Sequence, residues 1–288
     1  MSDVTVSDIV RFHTSVKGSA KPLSSRQQEF EIPGNRNRLE IFGFKLTEGG
    51  AHTSRTMMLK EITRLLASSD PEAMTEDYRR LIVVENVLGK ATETTRQETA
   101  RRLRELYSLS TKFPIFSVYR QLMRFDSQSA QLLSLLIAWA RDPLFRATTA
   151  AVMRAPIGEK LTGDDFKQAI MDVFPHQYSA TIIGNIARHA ASSWTQSGHL
   201  TGRTKKIRSR VDPRPSAVTF ALIMGHGCGV AGAQLFTSVW CRLLDLNSSE
   251  ARSLAEQAHR QELITLRAVG PVVEISFPRF RQFLKGFS

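Results

Sequence analysis

LTGDDFKQAIMDVFPHQYSATIIGNIARHAASSWTQSGHLTGRTKKIRSRVDPR, residues 161–214, is the stretch that decides the fold. Thr162, Gly163, Asp164 and Asp165 set a helix start: a hydroxyl in the capping position is answered three residues on by a carboxylate, which also favours the positive end of the helix dipole. Phe166, Ala169, Ile170 and Val173 recur at three- and four-residue steps and so share one buried face, and Pro175 with His176 ends the run. Ser179 caps a second helix. On it Ile183, Ala187, Ala190 and Trp194 stack on one side, while Thr181, Asn185, Arg188 and Ser192 fall on a polar, free side. After Gly198 the chain turns basic, with Arg203, Lys205, Lys206, Arg208 and Arg210. Thr201-Gly202 reads as the turn of a small hairpin anchored by Leu200, Ile207 and Val211. Helix, turn, helix and basic wing point to nucleic acid. The plainer alternative is a helical pair followed by a solvated basic linker that Pro213-Arg214-Pro215 closes.

Composition agrees with a folded protein that meets a polyanion. Hydrophobic residues make up 42% and charged ones 23% of the 288 residues, ordinary for a soluble chain of two or three small domains. The 39 basic and 27 acidic residues leave a net charge of +12, which makes nucleic acid the first partner and an anionic membrane surface the competitor. Cys228 and Cys241 are the only cysteines, too few for a disulfide scaffold, and fit a reducing cytoplasm. Asp3, Asp8, Arg11 and Lys17 interrupt any apolar signal core, and no apolar run has the length to span a bilayer. The expectation is a cytoplasmic protein with no membrane partner.

The fold class expected is mainly α and multi-helical, with helix-turn-helix or winged-helix-like modules and small β-hairpins. Residues 1–38 read as a flexible basic arm carrying Lys17, Lys21, Arg26, Arg36 and Arg38. Residues 39–155 read as a helical domain. In it Met58, Ile62, Leu65 and Leu66 line one helix, and a second runs from about Glu76 to Leu88 with Leu81, Val84, Val87 and Leu88 inward. A third is opened by a capping box at Thr95 and Glu98. Arg96, Arg101 and Arg104 on its wet side, a short turn after the second helix, make another helix-turn-helix candidate. Leu132, Leu133, Leu135, Leu136, Ile137 and Trp139 are apolar nearly all round one helix, which makes it a central strut. Residues 156–215 are the helix-turn-helix with its wing, and 216–288 a C-terminal helical domain with a possible hairpin around Gly270-Pro271.

In that last part Gly227, Gly229 and Gly232 match G-x-G-x-x-G after a Val218 to Met224 run that reads as a possible strand. A dinucleotide site also needs a following parallel strand and an acid about twenty residues on. Glu250 is near that distance but follows Asn247-Ser248-Ser249, a helix cap. The glycines are better read as a tight bend with close packing, and no cofactor is expected. His226, Cys228 and Cys241 lack a fourth ligand, so no metal is expected either.

Thr47-Glu48-Gly49-Gly50-Ala51 before a helix, Glu85-Asn86-Val87-Leu88-Gly89-Lys90 running into Thr94-Thr95-Arg96 and Arg101-Arg102-Leu103-Arg104, and Leu161-Thr162 with Asp165-Phe166 before the Ser179 helix together resemble BrxA, a family of the BREX bacteriophage-defence systems. The similarity covers roughly residues 40–205 and rests on short motifs in the right order. It implies a helical DNA-binding protein without known catalysis, acting beside other BREX components. The long N-terminal arm and the C-terminal part depart from the family pattern.

No catalytic constellation stands out in the sequence, with no HExxH and no Ser, His and Asp in a familiar order. The function expected is therefore non-enzymatic binding of double-stranded DNA in a phage-defence system. Asn185 and Arg188 would reach base edges, while Arg203, Lys205, Lys206, Arg208 and Arg210 would hold phosphates. The alternatives are a protein-interaction scaffold within the defence complex, whose basic faces meet an acidic partner, and an RNA-binding helical protein.

Overall fold

Caps and turns encoded in the chain divide it into short helices, which a computed structural model describes over residues 30–270 and 272–287. The fold is mainly α-helical with small antiparallel strands. The N-terminal group is α1 (Arg36–Phe42), a 3-10 turn at Ala51–Thr53, α2 (Leu59–Ala67), α3 (Thr75–Val83) and α4 (Glu93–Tyr107). Next come α5 (Pro114–Phe125), α6 (Ala130–Arg141), α7 (Pro143–Ala147) and α8 (Thr149–Met153). As its all-round apolar pattern predicts, α6 is the central strut, with Leu133, Leu135, Leu136, Ile137 and Trp139 fully enclosed.

The following elements form a two-helix unit with a wing. β1 (Lys160–Leu161) leads into α9 (Gly163–Val173) and α10 (Ala180–Gln196), and β2 (Leu200–Thr201) and β3 (Lys206–Arg208) close it. The strand order is β1-β3-β2 with both pairings antiparallel, so the strand before α9 joins the hairpin after α10. Lys160 pairs with Ile207, and Ile207 with Thr201. Asp165 accepts from the Thr162 backbone N–H at 2.7 Å, and Ser179 accepts from the Ile182 N–H. Both helix starts thus fall where the caps predict. Gly202 has φ +85°, and a Cβ there would lie 2.1 Å from the Lys205 carbonyl oxygen, so the wing turn requires glycine.

α11 (Pro215–Gly227), α12 (Val239–Arg242), α13 (Ser248–Arg260) and the hairpin of β4 (Thr265–Val269) with β5 (Val272–Ser276) complete the fold. The Val218 to Met224 run is thus helix and not strand. The glycine motif follows the C-terminal end of α11, where carbonyls are presented, whereas a phosphate needs the N–H groups of a helix start. Gly225 and Gly227 instead allow close approach: a Cβ at either would lie 2.7 Å from Leu235 Cδ2 or Phe42 Cε2. α11 packs on α1, α5, α6 and α13, and buried residues of all three expected domains belong to one continuous core. Trp139 of α6 meets Trp240 of α12 edge to face at 5.1 Å.

Several local expectations are corrected. α1 begins inside the expected arm, and Arg38 donates to the carbonyls of Gly227, His226 and Phe287 at 2.9–3.1 Å, capping the end of α11. Lys17, Lys21 and Arg26 lie outside the described residues. Helix α3 stops at Val83 and Val84 is exposed, because Asn86 takes φ 52° and pairs both its amide atoms with the Lys90 backbone. The resulting loop, residues 84–92, is longer than the expected turn. The cap of α4 is Thr92, which accepts from the Thr95 N–H. In the wing Leu200 and Val211 are buried as expected, but Ile207 and Arg208 exchange places: Ile207 is 40% exposed and Arg208 only 3%. Arg208 is drawn inward by Asp245, which takes both ends of its guanidinium and also accepts from the Val211 N–H at 3.1 Å.

Beside that pair lies fully buried His199, whose ring nitrogens are 2.9 Å from Ser197 Oγ and 3.0 Å from the Leu243 carbonyl oxygen. Burial pushes its imidazole down to about 4, against the pull of Asp245. An unfolded histidine takes up its proton near 6.5, so stability should be lost as pH falls through the window from about 6.5 to about 4. The expected loss is about 3 kcal/mol by linkage. Urea unfolding across that window should show it, and His199→Gln should flatten the dependence. A wild-type stability constant from pH 6.5 to 4 would contradict the assignment.

Candidate nucleic-acid interface

The exposed side of α10 carries Thr181, Asn185 and Arg188, while Ile183, Ile186, Ala187, Ala190 and Trp194 are buried. Arg188 Nη2 donates to Asn185 Oδ1 at 2.7 Å, so these two side chains form a bonded pair instead of two independent readers. At the wing tip Arg203 and Lys205 are exposed and have no acid partner among the described residues. Lys206 folds back, its Nζ donating to Thr195 Oγ1 and the Gly202 carbonyl, both at 2.9 Å, and burial lowers its pKa. Arg208 is enclosed with Asp245, and exposed Arg210 is ion-paired with Glu250 of α13. The structure therefore brings Thr181, Asn185, Arg188, Arg203 and Lys205 onto one winged unit. It assigns Arg208 and Arg210 to contacts that hold the wing against the C-terminal part.

The arginines of α4 have a different setting. Arg101 and Arg102 both bind Glu98 and Glu105 at 2.8–3.2 Å. The Arg101 hydrogen bond leads the causes that bring Glu98 down to about 2. Arg96 is half-buried, and its Nε is enclosed without a hydrogen-bond partner. Arg104 alone of the three candidates is exposed without an acid partner among the described residues. This helix mostly neutralises its own charge, so it is a weaker phosphate surface than the wing tip. Sequence reading missed Lys160, exposed on β1 and without an acid partner among the described residues, because the strand is too short to register as a pattern.

A buried polar network also escaped the sequence. His52 Nδ1 lies 2.8 Å from Asp142 Oδ2, and His52 Nε2 lies 2.8 Å from Ser193 Oγ. The order Ser, His, Asp is that of a nucleophilic triad. Access and bonding exclude that role: all three are at most 1% exposed, and the Ser193 hydroxyl already donates to the His189 carbonyl and accepts from the Met57 N–H. The set is a structural clasp between loop 50–57, α10 and the start of α7. Asp142 Oδ1 caps α7 through the N–H groups of Leu144 and Phe145, and His52 stacks on Phe145 at 4.6 Å. Gly50 makes room, since a Cβ there would lie 2.1 Å from Asp142 Oδ1.

Among the described residues no single helix is long and apolar enough to cross a membrane. No family model matches the chain, and no curated protein matches it in sequence.

Burial alone would raise the Asp142 pKa, but the adjacent His52 imidazole and the N–H donors outweigh it and hold the carboxyl below its usual range. The stability it contributes is present above the ordinary carboxylate range and is lost as pH falls through the depressed value. Asp142→Asn should lower unfolding free energy at neutral pH by about 3 kcal/mol, the scale for breaking a buried pair, and should remove that acid limb. Urea titration measures both, and a variant as stable as the wild type would contradict the clasp.

Proposed function

We propose that the chain is a non-enzymatic binder of double-stranded DNA that docks α10 and the wing tip on the duplex. The observation that carries this reading is the topology: a strand, two packed helices and a hairpin in one antiparallel sheet, with unpaired cations at the hairpin tip beside the free face of the second helix. A helix of that diameter fits the major groove, and a flanking hairpin then meets the sugar-phosphate backbone. Thr181 and the bonded pair Asn185 and Arg188 face the groove, while Arg203 and Lys205 neutralise phosphates. The net charge of +12 supports a polyanionic partner. The likeness to BrxA in the Thr47-Glu48-Gly49-Gly50 and Leu161-Thr162 segments supports a place in a BREX-like phage-defence system, beside its other components. RNA is less favoured, since its deep, narrow major groove does not admit a helix.

The test is binding to a short duplex of arbitrary sequence, followed by fluorescence anisotropy across a salt series. Replacing Arg203 and Lys205 by Gln should reduce the slope of log affinity against log salt by about 2, whereas Arg101→Gln should leave it unchanged. An unaltered slope in the wing variant, or equal affinity for structured RNA, would overturn the reading.

A further inference from the structure

We propose that the duplex-binding surface includes a phosphodiester site at the edge of the winged unit, where Arg55 of loop 50–57 joins Arg188 and His189 of α10. The inference rests on the duplex-binding reading and adds to it an element that helix-turn-helix topology does not supply.

Geometry places the groups. His189 Nδ1 lies 2.9 Å from the His52 carbonyl oxygen, which ties α10 to the loop. The Arg55 N–H donates to the Ala51 carbonyl at 2.8 Å, continuing the same turn, so Arg55 is fixed three residues beyond the contact. Arg55 is half-buried, with Nη1 on the Ser54 carbonyl at 2.9 Å and no carboxylate partner among the described residues. Arg188 is exposed and oriented by Asn185. Burial first, then the charges of His52, Arg188 and Arg55, lower the His189 pKa, opposed only by the hydrogen bond to the His52 carbonyl. No acid contributes there. Glu48, on the preceding segment, reaches Gln177 in the α9–α10 turn instead.

Arg101 and Arg102, Arg208, and Arg210 are by contrast answered by the protein's own acids. Two guanidinium groups that each disfavour the charged form of a half-buried imidazole, with no carboxylate contributing there, leave positive charge that a bound anion would offset. A nucleic-acid phosphate suits the site because it is delivered along the backbone of a duplex whose groove receives α10. The clasp of His52, Asp142 and Ser193 acquires a purpose in this arrangement: it holds the loop and the recognition helix in fixed relation, so Arg55 arrives already positioned.

Anisotropy with the same duplex across the salt series provides the test. Arg55→Gln should reduce the magnitude of the salt slope by about 1 and weaken binding several-fold at low salt, and Arg55→Lys should restore most of the slope because a point charge suffices for phosphate. NMR of the imidazole should show the His189 titration midpoint rising on duplex binding in the wild type and rising less in Arg55→Gln. If the wing variant flattens the slope while Arg55→Gln matches the wild type in slope and in His189 response, the phosphodiester site is wrong and the duplex-binding reading stands. If the wild-type chain binds no duplex, both are overturned.

Discussion

The Asp142 carboxylate is the constraint on which the rest of the structure depends. It terminates α6, starts α7, and through His52 fastens the N-terminal loop to Ser193 in the last turn of α10. A buried carboxylate is tolerated only when donors replace its lost hydration, and here four N–H groups do so. Sections of chain far apart in sequence are thereby held in one register, and the helix proposed to enter a DNA groove is braced along its buried side.

A second buried pair has the same logic on the other side of the winged unit. Asp245 draws Arg208 out of the expected wet row of the wing and, with Glu250 and Arg210, binds the hairpin to the segment preceding α13 and to α13 itself. Charge that looks in the sequence like a phosphate-binding ribbon is thus divided between structure and surface. Arg208 and Arg210 fix where the wing stands, and Arg203 and Lys205 at its tip stay exposed without an acid partner among the described residues. The hairpin gains rigidity from the cations it does not display, and a rigid wing loses less entropy when it meets a backbone.

Local signals were legible and distant ones were not. Thr162 with Asp165, Ser179, and the two faces of α10 follow from spacing alone, because caps and helical periodicity act within a few residues. The parity of the wing was misread because the partner that pulls Arg208 inward lies 37 residues away. α11 was open to a strand reading because a run buried on every side carries no period to separate helix from strand. The short turn expected before α4 failed on Asn86, whose side chain builds a loop of its own. The clasp was invisible for the plainest reason: its members are 90 and 141 residues apart. Of the expected site residues, those of α10 and the wing tip lie on one unit, whereas Arg101 is matched to acids on its own helix, a pairing that its spacing from Glu98 and Glu105 already allowed.

The most direct measurement is amide hydrogen exchange of the whole chain with and without a short DNA duplex. Slowed exchange should concentrate in the first half of α10, the wing turn at residues 202–205 and loop 50–57, leaving α4 and α13 unchanged. Protection confined to α4 or α13, or none anywhere on addition of duplex, would contradict the assignment of α10 and its wing as the nucleic-acid surface.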